Sequence, residues 1–468
     1  MNFLLGYVVY IPVIVAGGLL VHQLWSGNQP AHLLFKLGLG AGIGLGLTSL
    51  ISFLFLLFTN SLSTFFTVQI LLLACGLVLT WRNWKSSPIF PAGFSLTRLQ
   101  KVLLGVFGVV LLVSISAYFI WALMTPNGRF DAWMIYNRAA RFIYRDPLNW
   151  RDTLSPQMYW LFHPDYPLLI PVNVAGAWST LGSEIMRAPQ AQSAYFLFGI
   201  FCILMGAIAF LRTNGQALLA GITLLAMPVF LYTAGREEAD IPVAFYMLAT
   251  LSLLLLYHKE RRTVLIALAG LTTGLAAWTK NEGVLFLITG SLAWVLLLYR
   301  HRELRGLTWF ALGLSFPLAI IVYFKLFLAP PNDLFASASS ANLMERLVDI
   351  ERFSIISERF YNQILVFGGG QVSVIILLIV YGLIVGRDKS QNNHQPIYPA
   401  LMALFLQLAG YFLIYLLTPH DIHWHLRTSL YRLFIHIFPS ALFILFASIS
   451  DPETIFAETQ KPSISRQF

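Results

Sequence analysis

The sequence predicts an all-α integral membrane protein that crosses the bilayer many times. Of its 468 residues, 57% are hydrophobic and only 11% are charged, and the mean hydropathy is +0.72. Soluble domains carry about 25% charged residues. Apolar runs separated by short polar loops recur along the chain, and a spanning helix needs about 20 apolar residues. We therefore expect about 11–13 transmembrane helices in a single domain, residues 1–450, followed by a short tail, 451–468.

Thirteen apolar runs are candidate spans. No basic segment precedes the first run and no convincing cleavage site follows it, so we interpret it as a retained span and not a signal peptide. Cys75 and Cys202 lie inside apolar runs, where we expect small buried side chains and neither a disulfide nor a metal site. The residues 168–181 are a candidate re-entrant segment. The candidate spans are residues 3–24, 37–58, 62–81, 102–124, 190–211, 216–232, 241–257, 264–278, 284–299, 307–328, 364–385, 397–417 and 433–448.

Lysine and arginine in the short loops predict the orientation, because cytoplasmic loops carry an excess of these residues. Four basic loops fall on one side when the spans alternate. This places the tail 451–468 inside and the loops 126–187, 233–241, 329–361 and 418–432 outside. The net charge of +9 therefore reflects topology and does not indicate nucleic-acid binding. The basic residues of the cytoplasmic loops are Arg82, Lys85, Arg98, Lys101, Lys259, Arg261, Arg262, Arg300, Arg302, Arg305, Arg387 and Lys389.

The loop 126–187 differs from a plain connector because residues 131–145 predict a short amphipathic helix. Arginines fall on or beside its polar face. An aromatic-rich amphipathic helix between two spans is typical of the membrane interface. Its apolar stripe would consist of Ala132, Ile135, Ala139 and Ile143.

Many basic residues lie on the predicted outer side, where the excess of lysine and arginine in cytoplasmic loops does not explain them. One interpretation pairs them with nearby acids such as Asp146, Asp152, Glu345 and Glu351. The other is a site for an anionic lipid-linked substrate, since ionisable groups near membrane depth are functional by default. Both can hold at once. The residues are Arg129, Arg138, Arg141, Arg145, Arg151, Arg187, Arg236, Lys280, Arg346, Arg352, Arg359, Arg427 and Arg432.

Four outer stretches carry the candidate chemistry. In the second of them, three acids fall within four residues at a membrane edge, which is costly unless they are solvated, paired or metal-bound. The stretches are FDAW with Asp131, GREEADIP with Glu238 and Asp240, WTKNEG with Lys280, and TPHDIHWHLR with His425 and Arg427, running on to Arg432.

The histidine-rich fourth stretch invites a metal interpretation. His423 and His425 are two residues apart, which does not place both on one helix face as an H-x-x-x-H pair does. Hard cations also prefer oxygen ligands. We therefore expect no cofactor and no permanent metal, with a divalent cation as the minor alternative and substrate hydrogen bonding as the role of these histidines. No G-x-S-x-G, P-loop or dinucleotide-binding turn occurs, so the sequence has none of the motifs typical of acyl transfer, nucleotide binding or hydride transfer.

The order of these stretches resembles the GT-C superfamily of polytopic glycosyltransferases. The residues that carry the resemblance are the Asp that opens the first long outer loop, then HPDYPLLIP, EEADIP and GLAAWTKNEG. The branch resembled most is that of dolichyl-phosphate-mannose protein mannosyltransferases and lipid A aminoarabinose transferases. The resemblance covers most of residues 126–432. It implies a GT-C-like fold, a sugar donor on a polyprenyl phosphate, and an acceptor on the non-cytoplasmic side.

The resemblance also implies roles for single residues. Asp131 matches the acid that opens the family's first external loop, which is the catalytic base or orients the acceptor. Ala132 stands where many relatives have Glu. Asp240, followed by Pro242, matches the second external acid. Lys280 matches a basic residue near the donor phosphate.

We therefore predict transfer of a sugar from a polyprenyl-phosphate carrier to a lipid, glycan or protein acceptor. An inverting displacement needs a base for the acceptor proton and cations for the departing phosphate. Asp131 is the predicted base, with Asp240 in support, and Lys280 with Arg138 or Arg427 would hold the phosphate. The predicted substrate-binding residues are Arg138, His163, Asp165, Glu238, Lys280, His425, Arg427 and Arg432.

Two other functions remain open at this point. A transporter or flippase for lipid-linked sugars predicts charged groups deep in several spans and two similar halves, whereas the polar breaks here lie mainly at outer span ends. A polysaccharide polymerase or ligase shares the lipid-phosphate chemistry. The predicted location is the plasma (inner) membrane, with the site facing the periplasm or exterior and the bilayer as a partner.

Overall fold

A computed structural model describes residues 2–25, 30–82, 96–158, 160–332, 334, 340–370, 372–388, 397–451 and 453. These residues form 19 α-helices and no β-strand apart from an isolated bridge between Arg387 and Ile449. Lys85, Lys389 and most of the predicted tail lie outside the described residues. The helices are α1 Asn2–Val8, α2 Ile11–Leu24, α3 Pro30–Thr59, α4 Phe65–Arg82, α5 Arg98–Met124, α6 Asn137–Arg145, α7 Leu169–Leu181, α8 Arg187–Leu211, α9 Asn214–Leu225, α10 Pro228–Gly235, α11 Asp240–Glu260, α12 Thr263–Thr279, α13 Asn281–Arg300, α14 Arg305–Tyr323, α15 Ser340–Val348, α16 Ile350–Val366, α17 Val374–Val385, α18 Ile397–Leu417 and α19 Ile422–Ser448.

The structure confirms the predicted all-α membrane fold. In the described part of the chain, ten helices are long and apolar enough to cross a membrane, and the bent pair α9–α10 makes an eleventh if it is one span. Each predicted run coincides with one helix or with consecutive helices. Cys202 is buried as predicted. The prediction was wrong for Cys75, which is exposed because it lies on the outward surface of α4.

The predicted span 364–385 is broken. Helix α16 ends at Val366 and α17 begins at Val374. Between them, Gly368 and Gly369 have φ angles of +114° and +79°, which glycine adopts at no steric cost. Helix α17 has 12 residues, too few to cross a bilayer alone.

The loops sort between the two ends of the bundle as alternating spans require. At one end, two loops predicted to be cytoplasmic meet, where Arg261 Nη1 lies 2.8 Å from Glu303 Oε1. At the other end, two loops predicted to be external meet, where Arg432 Nε lies 2.7 Å from Asp240 Oδ2. We call this second end the outer-loop end. The assignment of this end to the outside of the membrane stays a prediction.

Helix α11 forms the centre of the bundle. Every residue from Asp240 to Tyr257 is buried, as expected for a helix surrounded by protein. It packs against α8, α12 and α19. Both α11 and α19 begin at the outer-loop end, so Asp240 in the first turn of α11 meets Arg432 in the third turn of α19.

The loop 126–187 contains the predicted juxtamembrane helix in two pieces. A π-helical turn, Ala132–Tyr136, leads directly into α6, and short 3-10 turns follow. All four residues of the predicted apolar stripe are buried. The candidate re-entrant run 168–181 is α7, which is 13 residues long and buried along most of its length.

Several outer arginines have structural partners, but not the acids predicted from the sequence. Arg141 and Arg145 lie 3.1 and 2.5 Å from the carboxylate oxygens of Glu184. Arg346 and Arg352 donate to main-chain carbonyl oxygens at the C-terminal end of α18. These bonds satisfy carbonyl groups that a helix end leaves without partners.

The predicted orientation can be tested with single cysteines in a Cys75→Ser background. Gln157→Cys lies in the loop 126–187, and Leu304→Cys lies at the opposite end of the bundle; both positions are exposed. In intact cells, an impermeant thiol reagent should label only Gln157→Cys, and permeabilised cells should label both. Labelling of Leu304→Cys alone would place the outer-loop end in the cytoplasm.

Candidate functional site

Five predicted site residues form one network at the outer-loop end. They come from four segments that are distant in sequence: the start of the loop 126–187, the α10–α11 turn, the α12–α13 break and the third turn of α19. The helices that carry them start or end at the same end of the bundle, which explains their convergence. The residues are Asp131, Glu238, Asp240, Lys280 and Arg432.

Arg432 is the centre of this network. Its Nη1 lies 2.7 Å from Oδ2 of Asp131, its Nε 2.7 Å from Oδ2 of Asp240, and its Nη2 3.5 Å from Oε2 of Glu238. The Arg432 side chain is only 9% exposed. Because the donors of a guanidinium are fixed in a plane, contact with three carboxylates holds this group in one orientation.

Asp240 accepts bonds from two more side chains. Lys280 Nζ lies 3.2 Å and His436 Nε2 lies 2.7 Å from its Oδ1. Lys280 also lies 2.8 Å from Oε1 of Glu282, and His436 Nδ1 lies 3.1 Å from the Tyr411 hydroxyl. The Asp240 side chain is fully buried. It therefore supports the site by positioning the cations around it and does not reach a ligand itself.

Asp131 is placed by a tight turn in front of it. Gly128 has a φ of +69°, and a Cβ at this position would lie 2.5 Å from the carbonyl oxygen of Arg236. The glycine lets the loop pass close to the α10–α11 turn, where the N–H of Arg129 donates to that same oxygen at 3.2 Å. The π-helical turn begins directly after Asp131, and such turns are frequent at functional sites.

Lys280 is placed by the break between α12 and α13. Its backbone is extended, at φ −163° and ψ 162°. In the first turn of α13, a Cβ on Gly283 would lie 1.8 Å from the carbonyl oxygen of Ala276. Glycine therefore permits the close approach of the two helices, which leaves the Lys280 side chain buried between acids.

Apart from His436, the network contains four carboxylates and three cations. Burial raises the pKa of Glu238 to about 7, although two neighbouring guanidinium groups oppose this rise. A proton on Glu238 leaves three carboxylates facing three cations. The cations are Arg236, Lys280 and Arg432, and the carboxylates are those of Asp131, Glu238, Asp240 and Glu282.

A cavity of about 580 Å³, which we call the large cavity, opens beside the network. Asp131, Lys280 and Arg432 line it, whereas Glu238 and Asp240 are buried behind them. Its volume lies in the range of small-molecule sites, about 300–1,000 Å³. Much of the remaining wall is aromatic: Trp160, Tyr166, Tyr411, Tyr415, Trp424 and Tyr431.

Three other predicted residues also line the large cavity, namely His163, His425 and Arg427. The His163 ring stacks on Tyr166 with a centroid distance of 4.4 Å. His425 Nδ1 lies 3.0 Å from the Thr418 hydroxyl oxygen. All three can reach a ligand in this cavity.

Asp165 and Arg138 lie away from the cavity wall. The Asp165 carboxylate accepts from the side-chain amides of Asn281, at 2.7 Å, and Asn332, at 2.9 Å. Arg138 donates to the carbonyl oxygen of Phe162, and its guanidinium packs over that residue's ring. Both side chains tie outer segments together in the structure.

Four members of the network were not among the predicted site residues: Arg236, Glu282, Tyr411 and His436. His436 carried a usable signal, because an ionisable residue inside an apolar span is a functional candidate by default. Arg236 and Glu282 adjoin predicted residues in sequence. Tyr411 had no signal, because aromatic residues are common throughout this chain.

The histidine-rich stretch, which runs into the first turn of α19, makes ring contacts. The His420 ring stacks on Trp160 with a centroid distance of 4.1 Å. In the part of the chain that the structure describes, no group of three His, Cys, Asp or Glu side chains is arranged to hold a metal ion.

No protein-family model, curated protein or solved structure matches this chain.

Arg432→Met should destabilise the fold strongly. Removal of one partner of a buried ion pair costs about 3–5 kcal/mol, because the remaining charge stays buried without compensation. Arg427→Met, five residues earlier on the same helix, is the control, because Arg427 has no ion pair with a described residue. Thermal unfolding of the purified proteins in detergent should show a large decrease for Arg432→Met alone. Equal unfolding temperatures would contradict the central role of Arg432.

Glu238 should make stability depend on pH. Its folded pKa is raised from 4.5 to about 7 by burial, so its stabilising contribution is complete below about pH 4.5 and is lost as the pH rises through 7. Glu238→Gln cannot lose this proton. The decrease in unfolding temperature between about pH 5 and about pH 8 should therefore be smaller in the variant than in the wild type. The same decrease in both proteins would show that Glu238 does not titrate in this range.

Proposed function

We propose that this chain is a membrane glycosyltransferase that moves a sugar from a polyprenyl-phosphate carrier to an acceptor on the outer side of the membrane. The placement of Asp131 carries the proposal. Its carboxylate is 17% exposed, lines the large cavity and contacts Arg432 at 2.7 Å. A carboxylate that a ligand can reach thus lies beside cations suited to a phosphate, which is the pairing that sugar transfer from a lipid phosphate requires.

Asp131 is suited to act as the base because only one of its oxygens is occupied. Oδ2 contacts Arg432, whereas Oδ1 has no hydrogen-bond partner among the described residues. In the proposed reaction, Oδ1 takes the proton of the acceptor hydroxyl as the acceptor oxygen bonds to the anomeric carbon. The bond from that carbon to the phosphate oxygen breaks, and the phosphate leaves with the electron pair.

Lys280 and Arg432 are assigned to the departing phosphate. Both line the large cavity with Asp131, and their side chains are only 4% and 9% exposed. Preorganised cations in a site shielded from water stabilise developing charge without reorganising. When Glu238 is protonated, more of the positive charge of Arg432 is available to the phosphate.

The aromatic wall is assigned to the sugar. Tyrosine and tryptophan offer a flat apolar surface together with a polar group, which suits a ligand with both C–H and O–H faces. Trp160 and Trp424 both line the cavity, and their ring centroids are 5.7 Å apart. Tyr411 adds a hydroxyl that His436 orients.

Asp131→Asn tests the proposed base. The amide keeps the size of the side chain but does not accept a proton at neutral pH, and general-base catalysis typically contributes 10²–10⁴-fold. We expect turnover to fall by about that factor while donor binding persists. The assay uses purified protein with a synthetic polyprenyl-phosphate sugar and excess acceptor.

Asp146→Asn is the matched control, because Asp146 is an exposed acid of the same loop whose carboxylate contacts only Asn149 among the described residues. It should keep wild-type turnover. Equal unfolding temperatures for the variants would exclude loss of folded protein as the cause. Near wild-type turnover of Asp131→Asn would remove Asp131 from the mechanism.

A further inference from the structure

A second cavity adjoins the large one. This groove of about 400 Å³ lies between α16 and α19. From α16 it is lined by Arg359, Asn362, Gln363 and Val366, which at positions i, i+3, i+4 and i+7 share one helix face. Trp424, Arg427 and Tyr431 of α19 line both the groove and the large cavity. A ligand in the groove therefore lies directly beside a ligand in the large cavity.

The groove presents positive charge that no described residue pairs with. Arg359 and Arg427 have no hydrogen bond or ion pair with any described residue. This distinguishes them from Arg352, on the same face of the bundle, which binds main-chain carbonyl oxygens, and from Arg432, which contacts three carboxylates. Two free guanidinium groups facing one concave surface are suited to a phosphate, which guanidinium binds through paired N–H groups.

The other titratable groups of the groove leave this charge in place. The carboxylate of Asp421 accepts from the main-chain N–H of Trp424 at 2.7 Å and caps α19. His423 is exposed at the rim. The Tyr431 hydroxyl is bonded to Arg236. With one carboxylate against two guanidinium groups, the groove has a net positive charge at neutral pH.

The inner end of the groove is apolar. Val366, Leu426 and Leu430 line it. Beyond Val366 the chain continues into α17, none of whose side chains is buried. A cationic rim above an apolar surface is complementary to a lipid that carries a phosphate headgroup.

We propose that the groove binds the phosphate headgroup of a membrane lipid between Arg359 and Arg427, and that this lipid is the sugar acceptor. The binding site rests on the groove alone. The acceptor role rests on the proposed function: the large cavity holds the donor sugar beside Asp131, and the shared wall of Trp424, Arg427 and Tyr431 brings the second substrate next to it. The acceptor class is then an anionic lipid and not a soluble glycan or peptide.

Binding is tested without any sugar donor, so its outcome does not depend on glycosyl transfer. The probe is a short-chain phosphatidic acid added to the full-length protein in detergent, with native mass spectrometry as the readout. Phosphatidylcholine with the same chains and inorganic phosphate are the comparators. Arg359→Gln and Arg427→Gln should each weaken binding of phosphatidic acid about tenfold, the loss expected for one charge-assisted hydrogen bond. Arg300→Gln, an exposed arginine at the opposite end of the bundle, should leave binding unchanged.

Three results would overturn the binding site: equal weakening by Arg300→Gln, unchanged binding in both groove variants, or inorganic phosphate binding as tightly as the lipid. The last would identify a site for a free anion. The acceptor role has a separate test in the transfer assay. Arg359→Gln should raise the KM for an anionic lipid acceptor and leave the donor KM unchanged. A raised donor KM instead would assign the groove to the carrier, and Asp131→Asn should bind phosphatidic acid normally in either case.

Discussion

The ion pair between Arg432 and Asp240 is the contact on which the outer-loop end of the bundle depends. It joins the two central helices, α19 and α11, through groups that are 9% and 0% exposed. Charges at that depth are tolerated only when they compensate each other. Lys280 and His436 complete the shell around Asp240. Asp131 contacts the same guanidinium group, so an acid that lines the large cavity is held by the side chain that also joins the two helices.

Hydropathy was sufficient to predict the bundle because every span must satisfy its own backbone hydrogen bonds and face lipid or other apolar helices. The end of the bundle at which each loop lies followed from the alternation of the spans. For the same reason, acids at helix starts such as Asp240, and the lysine at the α12–α13 break, could be placed at one end of the bundle. The network residues that interrupt apolar runs could therefore largely be predicted from the sequence.

The pairing within the network was not predictable, because it depends on which helices are neighbours and how they are rotated. Arg138 and Asp165 are charged residues of the same outer loop as Asp131, but they do not line the large cavity. Arg138 bonds to the carbonyl oxygen of Phe162, and Asp165 bonds to the side chain of Asn281. The break between α16 and α17 was missed because three consecutive glycines, residues 368–370, barely change the hydropathy of an apolar run. His436 lies within the predicted span 433–448 and was not singled out from the sequence, although it is an ionisable residue in an apolar helix.

The wide sequence separation within the network has a consequence for biosynthesis. Asp131, Glu238 and Asp240 are translated long before Arg432, which lies in the last long helix of the described chain. Until that helix is inserted, three acids lie at the membrane surface without their main counter-charge. In an incomplete nascent chain these acids are therefore not yet compensated by Arg432, whereas in the complete protein they are. This chemical difference could be recognised by the quality-control machinery of the membrane.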